Sequence, residues 1–230
     1  MAFKPKSNIW RGLWLFLICG LVLCMLLVTF STSCRAPAHH EEPSPPVGLP
    51  EEPGGIEGTV NDADGKPVEP TPAERWAADG VFADREYPGE MTYGNYEIRW
   101  LADEQYIYIG IRAKTTGWIA VGIQPGSRMK NADMVLGLVK DGEATIYDLF
   151  SIGDYGPHPP DTELGGTDDI LEFGGKEEDG YTIIEFKRAL NTGDDYDLQL
   201  SKGVNKIIWS YGTIDSILHH FDRGYGEIQL

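Results

Sequence analysis

Eight short runs of alternating apolar and polar residues set the limits on this fold. They are Tyr96–Leu101, Tyr106–Arg112, Trp118–Ile123, Asp133–Val139, Ala144–Ser151, Tyr181–Arg188, Lys206–Tyr211 and Tyr225–Leu230. A period of two puts alternate side chains on opposite faces, which is the pattern of a half-buried strand. Turn pairs separate the runs: Asp103-Glu104, Asp141-Gly142 and Asp179-Gly180. Short strands joined by tight turns build an all-β, antiparallel sandwich. With 28 Gly and 15 Pro in 230 residues, a helical bundle is excluded. One short helix is expected near Arg188–Asn191.

The N-terminal segment has a different composition. Lys4, Lys6 and Arg11 precede a run from Gly12 to Phe30 with no charge. That length suits a bilayer-crossing helix, and the preceding cations place the N-terminus in the cytoplasm. Ser31-Thr32-Ser33-Cys34 follows, which resembles a bacterial lipoprotein box with Ser31 where an aliphatic residue is usual. A lipidated Cys34, a retained helix or a cleaved signal peptide each export the remainder, so the domain is expected at the cell membrane on its extracytoplasmic side. Residues 1–34 thus read as signal, lipoprotein leader or anchor. Residues 35–55 read as a Pro/Glu-rich linker, 56–72 as a short hairpin extension turning at Asp64-Gly65, and 73–230 as the sandwich.

Charge and cysteine usage narrow the function. The formal net charge is −17, and residues 1–35 hold four basic residues and no acid, so the body is more acidic still. Such a surface repels phosphate backbones, which excludes a nucleic-acid binder and suits a basic partner protein. Cys19, Cys24 and Cys34 all lie in the leader, so the body has no disulfide, no thiolate metal site and no CxxCH motif. No GxSxG, phosphate loop or HExxH is present, and the expectation is a binding or electron-transfer domain, not an enzyme. The acid pairs Asp168-Asp169, Glu177-Glu178 and Asp194-Asp195 sit in Gly-rich turns. They read as solvated loop acids, with calcium ligation as the alternative.

One constellation is more specific. Gly117-Trp118-Ile119-Ala120-Val121-Gly122-Ile123 runs into a loop holding Arg128, Met129 and Lys130, and then into Asp133-Met134. Later come Ile207-Ile208-Trp209-Ser210-Tyr211-Gly212 and His219-His220-Phe221-Asp222-Arg223-Gly224. This pattern, over roughly Trp76–Leu230, resembles the DOMON domain. The opening Asp79-Gly80…Asp84…Glu86 is similar to the start shared with family-9-like carbohydrate-binding sandwiches. The resemblance implies an immunoglobulin-like antiparallel sandwich and non-covalent haem b.

In haem-binding members a Met after GWxAVG and a His before the C-terminal Arg-Gly are the axial ligands. Carried over, these are Met129 and His219, with Met134 and His220 as alternatives. A thioether and an imidazole leave iron no open position and raise its potential, which suits one-electron transfer. Trp118, Trp209, Tyr211 and Phe221 are expected to line the slot, and Arg128, Lys130 and Arg223 to form its rim. The implied partner is a redox protein or a membrane electron carrier. His158, in a Pro-rich loop, is expected to be exposed at the mouth. The rival reading is a ligand-binding sandwich without haem, stacking sugars on exposed Trp100, Tyr106, Tyr108 and Trp118.

Overall fold

Asp141-Gly142 and Asp179-Gly180 each take positive φ at both residues, 53° and 84° in one pair and 52° and 79° in the other. That is the twist a two-residue hairpin requires. The first joins β5 (Asp133–Lys140) to β6 (Glu143–Phe150), the second β7 (Ile170–Glu178) to β8 (Tyr181–Ala189). The computed structural model describes Asp64, Lys66 and residues 68–230 apart from Leu218. It adds β1 (Gly89–Tyr93), β2 (Tyr96–Ala102), β3 (Tyr106–Ala113), β4 (Ile119–Ile123), β9 (Val204–Tyr211) and β10 (Asp222–Gln229).

The strands form two five-stranded sheets, ordered β1-β2-β3-β8-β7 and β10-β9-β4-β5-β6. Every pairing is antiparallel. The all-β antiparallel sandwich is therefore observed. The eight expected strands are all present. Their alternation is the reason: Ile107, Ile109 and Ile111 of β3 face Ile119, Val121 and Ile123 of β4 across one buried core. Trp209 stacks on Tyr96 in that core at 5.1 Å between ring centroids.

Two strands were not anticipated. β1 and β7 are edge strands with mostly exposed side chains, so burial imposed no period on their sequences. The expected helix at Arg188–Asn191 does not form. Arg188 instead belongs to β8, because its side chain is drawn into a buried ion pair. Two one-turn helices occur elsewhere, α1 (Pro72–Arg75), which opens on a Thr71/Glu74 capping box, and α2 (Asp161–Leu164).

The leader, the Gly12–Phe30 run, Cys34 and the linker lie outside the described residues, as does most of the 56–72 hairpin. Among the described residues, no helix is long and apolar enough to cross a membrane.

The Arg188 guanidinium ties the sheets together. Its Nη1 lies 2.6 Å from Asp133 Oδ2 on β5 and 3.2 Å from Asp197 Oδ1 in the loop after β8. Asp148 on β6 and Asp161 on α2 are buried near this pair. Burial lifts the carboxyl of Asp148 to about 8, Asp161 to about 7 and Asp197 to about 6.

Candidate functional site

The outer face of the second sheet carries a cleft. Its floor comes from the residues of the central strands that point away from the core: Ala120 and Gly122 on β4, Met134 on β5, Ile208 and Ser210 on β9. The register sets Ala120 opposite Ser210, and Gly122 between Ile208 and Met134. Small side chains in the middle and larger ones around them make a depression. A Cβ at Gly122 would meet Ile208 Cγ1 at 2.7 Å, so the larger residue folds over the smaller.

Three walls rise from this floor. The first is the β4–β5 loop. Gln124, Arg128 and Asn131 take positive φ, and Gly126, Lys130 and Ala132 donate backbone hydrogen bonds within the loop at 2.8–3.0 Å. This coil holds Met129 half-buried over a buried patch that includes Met134 and Ile208. The second wall is the end of the β9–β10 connection and the start of β10, which supply His220 and Arg223. The third is Asp154 and Tyr155, with the Arg128 guanidinium 4.6 Å over the Tyr155 ring. Tyr225 completes the rim. The cleft holds about 190 Å³, less than the roughly 300–1,000 Å³ of a typical small-molecule pocket.

Arg223 Nη1 donates to His220 Nε2 at 2.8 Å. Burial, and then the Arg223 charge, hold His220 below the usual imidazole range. The neutral ring with an accepting nitrogen is the form that binds a metal. His158 is half-buried rather than exposed, and its Nδ1 is buried without a hydrogen-bond partner. Burial and the neighbouring His220 lower its pKa as well.

The structure gathers some of the expected residues and separates others. Met129, Met134, His220, Arg128, Arg223 and Trp209 line the cleft. His219 is exposed and is not among the lining residues. The two histidines precede β10 instead of lying on it, so strand alternation does not separate them. Trp209 contributes to the cleft from the core side, where its ring stacks on Tyr96 and Tyr93. Trp118, Tyr211, Phe221 and Lys130 do not line it. Trp118 is buried with its indole N–H on the Ser216 carbonyl, and Tyr211 belongs to the core between the sheets. Phe221 is 71% exposed.

The sugar platform is not built from the expected aromatics. Trp100, Tyr108 and Trp118 are buried, and Trp100 gives its N–H to the Gln229 carbonyl. The loop acids hold turns: Asp194 accepts from the Thr167 and Tyr196 backbones, and Glu178 pairs with Lys176.

Sequence reasoning missed Tyr155, which lies in a loop with no apolar period, and Tyr225, which was placed on a strand but not assigned to the site. It also missed the buried acids Asp133, Asp148, Asp161 and Asp197. A signal for the first two existed. Asp133 is in phase with Val135 and Val139, and Asp148 with Ala144 and Ile146, on the core-facing side of their strands.

The profile of the DOMON domain matches residues 92–212. MOXD1 homolog 1 of Drosophila melanogaster is 32% identical over 148 residues, which is 60% of this chain and 21% of that protein. DBH-like monooxygenase protein 1 of Homo sapiens is 30% identical over 146 residues, 61% of this chain and 21% of that one. The chain therefore matches about a fifth of the length of these relatives. Among solved structures, the cytochrome b domain of pyranose dehydrogenase from Coprinopsis cinerea aligns with a TM-score of 0.44 and 14% identity. It covers 58% of this chain and 75% of that one.

Proposed function

The chain belongs to the DOMON domain family, and on that premise we propose that its sandwich is an exported b-type haem domain for one-electron transfer, anchored at the membrane by its N-terminal segment. One observation carries the reading: Met129 and His220 line a single cleft floored by small residues. The donor set fits the group, since a thioether and a neutral imidazole are the axial pair of high-potential b- and c-type centres. When bound, haem b supplies an Fe(II)/Fe(III) couple.

The protein's own residues have distinct tasks. Met129 and His220 would hold the iron, and the loop hydrogen bonds around Met129 fix where its sulfur stands. His220 would exchange its contact with Arg223 for the metal, and Arg223 together with Arg128 would be available to a propionate. Ala120, Gly122 and Ser210 leave room for a flat ring. No catalytic group is assigned to the cleft, and its work is to hold and tune the couple. The acidic surface favours a basic redox protein as partner.

The test is an absorbance spectrum of the full chain made in haem-replete cells and reduced with dithionite. A sharp low-spin b-type spectrum is expected. It should be lost in Met129→Ala and in His220→Ala and kept in His219→Ala. A colourless protein that takes up no added haemin would overturn the reading. Loss in His219→Ala alone would keep haem but move the ligand.

A further inference from the structure

On the far side of the second sheet from the cleft, one carboxylate oxygen from each of Asp133, Asp148 and Asp197 lies within 4.8 Å of the others. That is twice a Ca²⁺–oxygen distance, the widest spread that ligands around one ion can show. Asp133 is fully buried and Asp148 is 5% exposed. Their remaining bonds are spoken for on one side only. Asp133 Oδ2 accepts from Arg188 and from the Leu198 N–H, and Asp148 Oδ2 accepts from the Asp169 N–H. Asp133 Oδ1 and Asp148 Oδ1 are buried and have no hydrogen-bond partner.

A second observation points the same way. Asp161, at the start of α2, is 1% exposed and neither of its carboxylate oxygens has a hydrogen-bond partner. It interacts electrostatically with Asp133, Asp197 and Arg188. Four buried carboxylates thus share one guanidinium. Buried charge without a counter-charge is costly, and buried polar atoms without partners are rare in folded proteins.

We propose that Asp133, Asp148 and Asp197 form a structural calcium site distinct from the cleft, with Asp161 as a buried neighbouring carboxylate that adds negative charge around it. All the donors are carboxylate oxygens, the hard ligand set that suits calcium rather than zinc. An ion here takes Oδ1 of Asp133 and Asp148 while Arg188 keeps Oδ2 of Asp133. It ties the loop after β8 to the end of the second sheet. The site shares no residue with the pairs Asp168-Asp169, Glu177-Glu178 and Asp194-Asp195.

The experiment uses the full chain, stripped with EDTA and then dialysed against about 1 mM CaCl₂, the working range of extracellular calcium modules. Bound metal is counted by mass spectrometry, and Tm is followed with Ca²⁺, with Mg²⁺ and with neither. One calcium per chain and a Tm raised by Ca²⁺ more than by Mg²⁺ are expected. Asp148→Asn and Asp161→Asn should each weaken calcium binding at least about tenfold, and Asp141→Asn, in an exposed turn, should not. If Asp148→Asn does not fold, Asp161→Asn and the wild-type melts decide the matter. A wild-type chain that retains no calcium and melts alike with and without it overturns the site. So does calcium binding that survives in a folded Asp148→Asn chain, or a Mg²⁺ effect equal to that of Ca²⁺.

Discussion

Tyr87 donates a 2.7 Å hydrogen bond to Oε1 of Glu185, a fully buried carboxyl in the middle of β8. The Gly80 and Asp79 N–H groups donate to Oε2 at 2.7 and 3.2 Å, and Trp76 Nε1 donates to the Tyr87 oxygen at 2.7 Å. The segment from Trp76 to Tyr87 is thereby fastened across the outer face of the first sheet. Glu86 closes its loop by accepting from the Ala77 and Ala83 N–H groups. This is the structural content of the Asp-Gly…Asp…Glu opening. Gly80 sits at φ 77° against Lys176, and Glu86 is the buried staple of the turn.

Glu185 makes stability depend on pH. Burial lifts its carboxyl to about 7, and the nearby Glu86 and Asp79 add to the effect while the bonds from Tyr87 and Gly80 oppose it. The folded state therefore holds the proton more tightly than the unfolded chain. The stabilisation is full below about pH 4 and is lost as pH rises through 7. Glu185→Gln removes this term. The stability gap between wild type and variant should shift against the wild type by about 3 kcal/mol between pH 4 and 8. Urea melts at several pH values measure it, and a gap that stays constant with pH would sink the idea.

The fastening also depends on two glycines. Gly110 and Gly174 flank Glu185 in one cross-strand row of β3, β8 and β7. A Cβ on Gly174 would run into the Ala78 carbonyl, and one on Gly110 into the Phe82 ring. Gly174→Ala should therefore lift the segment from the sheet. A loss of about 2 kcal/mol is expected, in the range of overpacked sites, together with new proteolytic cleavage within residues 76–88. A variant as stable and as resistant as the wild type would show that the segment tolerates the methyl group.

The core strands were legible because burial on one face writes a period of two into the sequence. β1 and β7 were not, since most of their side chains are exposed and no buried face writes a period into them. The cleft was half legible. Met129 and Arg223 could be placed by motif, but the choice between His219 and His220 turned on a loop conformation that has no period. Buried carboxylates are the harder case. Asp133 and Asp148 stand in core phase, yet what makes them a group is Asp161, which arrives from α2, and Asp197, which arrives from the loop after β8.

Arg188 is the cation that makes those acids tolerable in metal-free protein. Breaking a buried pair by removing one partner leaves the other charge unbalanced, at a cost of about 3–5 kcal/mol. Arg188→Met keeps an unbranched apolar stem and removes the charge and the donors. It should lower stability by that amount in EDTA, measured by denaturant unfolding. If the acid cluster were neutral throughout, Arg188→Met would cost little.

The cleft can be tested without touching either proposed ligand. Ser210 lies at the centre of the floor, opposite Ala120 on one side and Arg223 on the other. It points away from the core, so a larger side chain there meets the cleft and not the interior. Ser210→Phe should fill the floor and cut haemin affinity at least about tenfold, while an aromatic in a strand changes stability by no more than about 1 kcal/mol. Haemin titration and a thermal melt on the same sample separate the two effects. Unchanged haemin binding in a folded Ser210→Phe protein would place any haem somewhere other than this cleft.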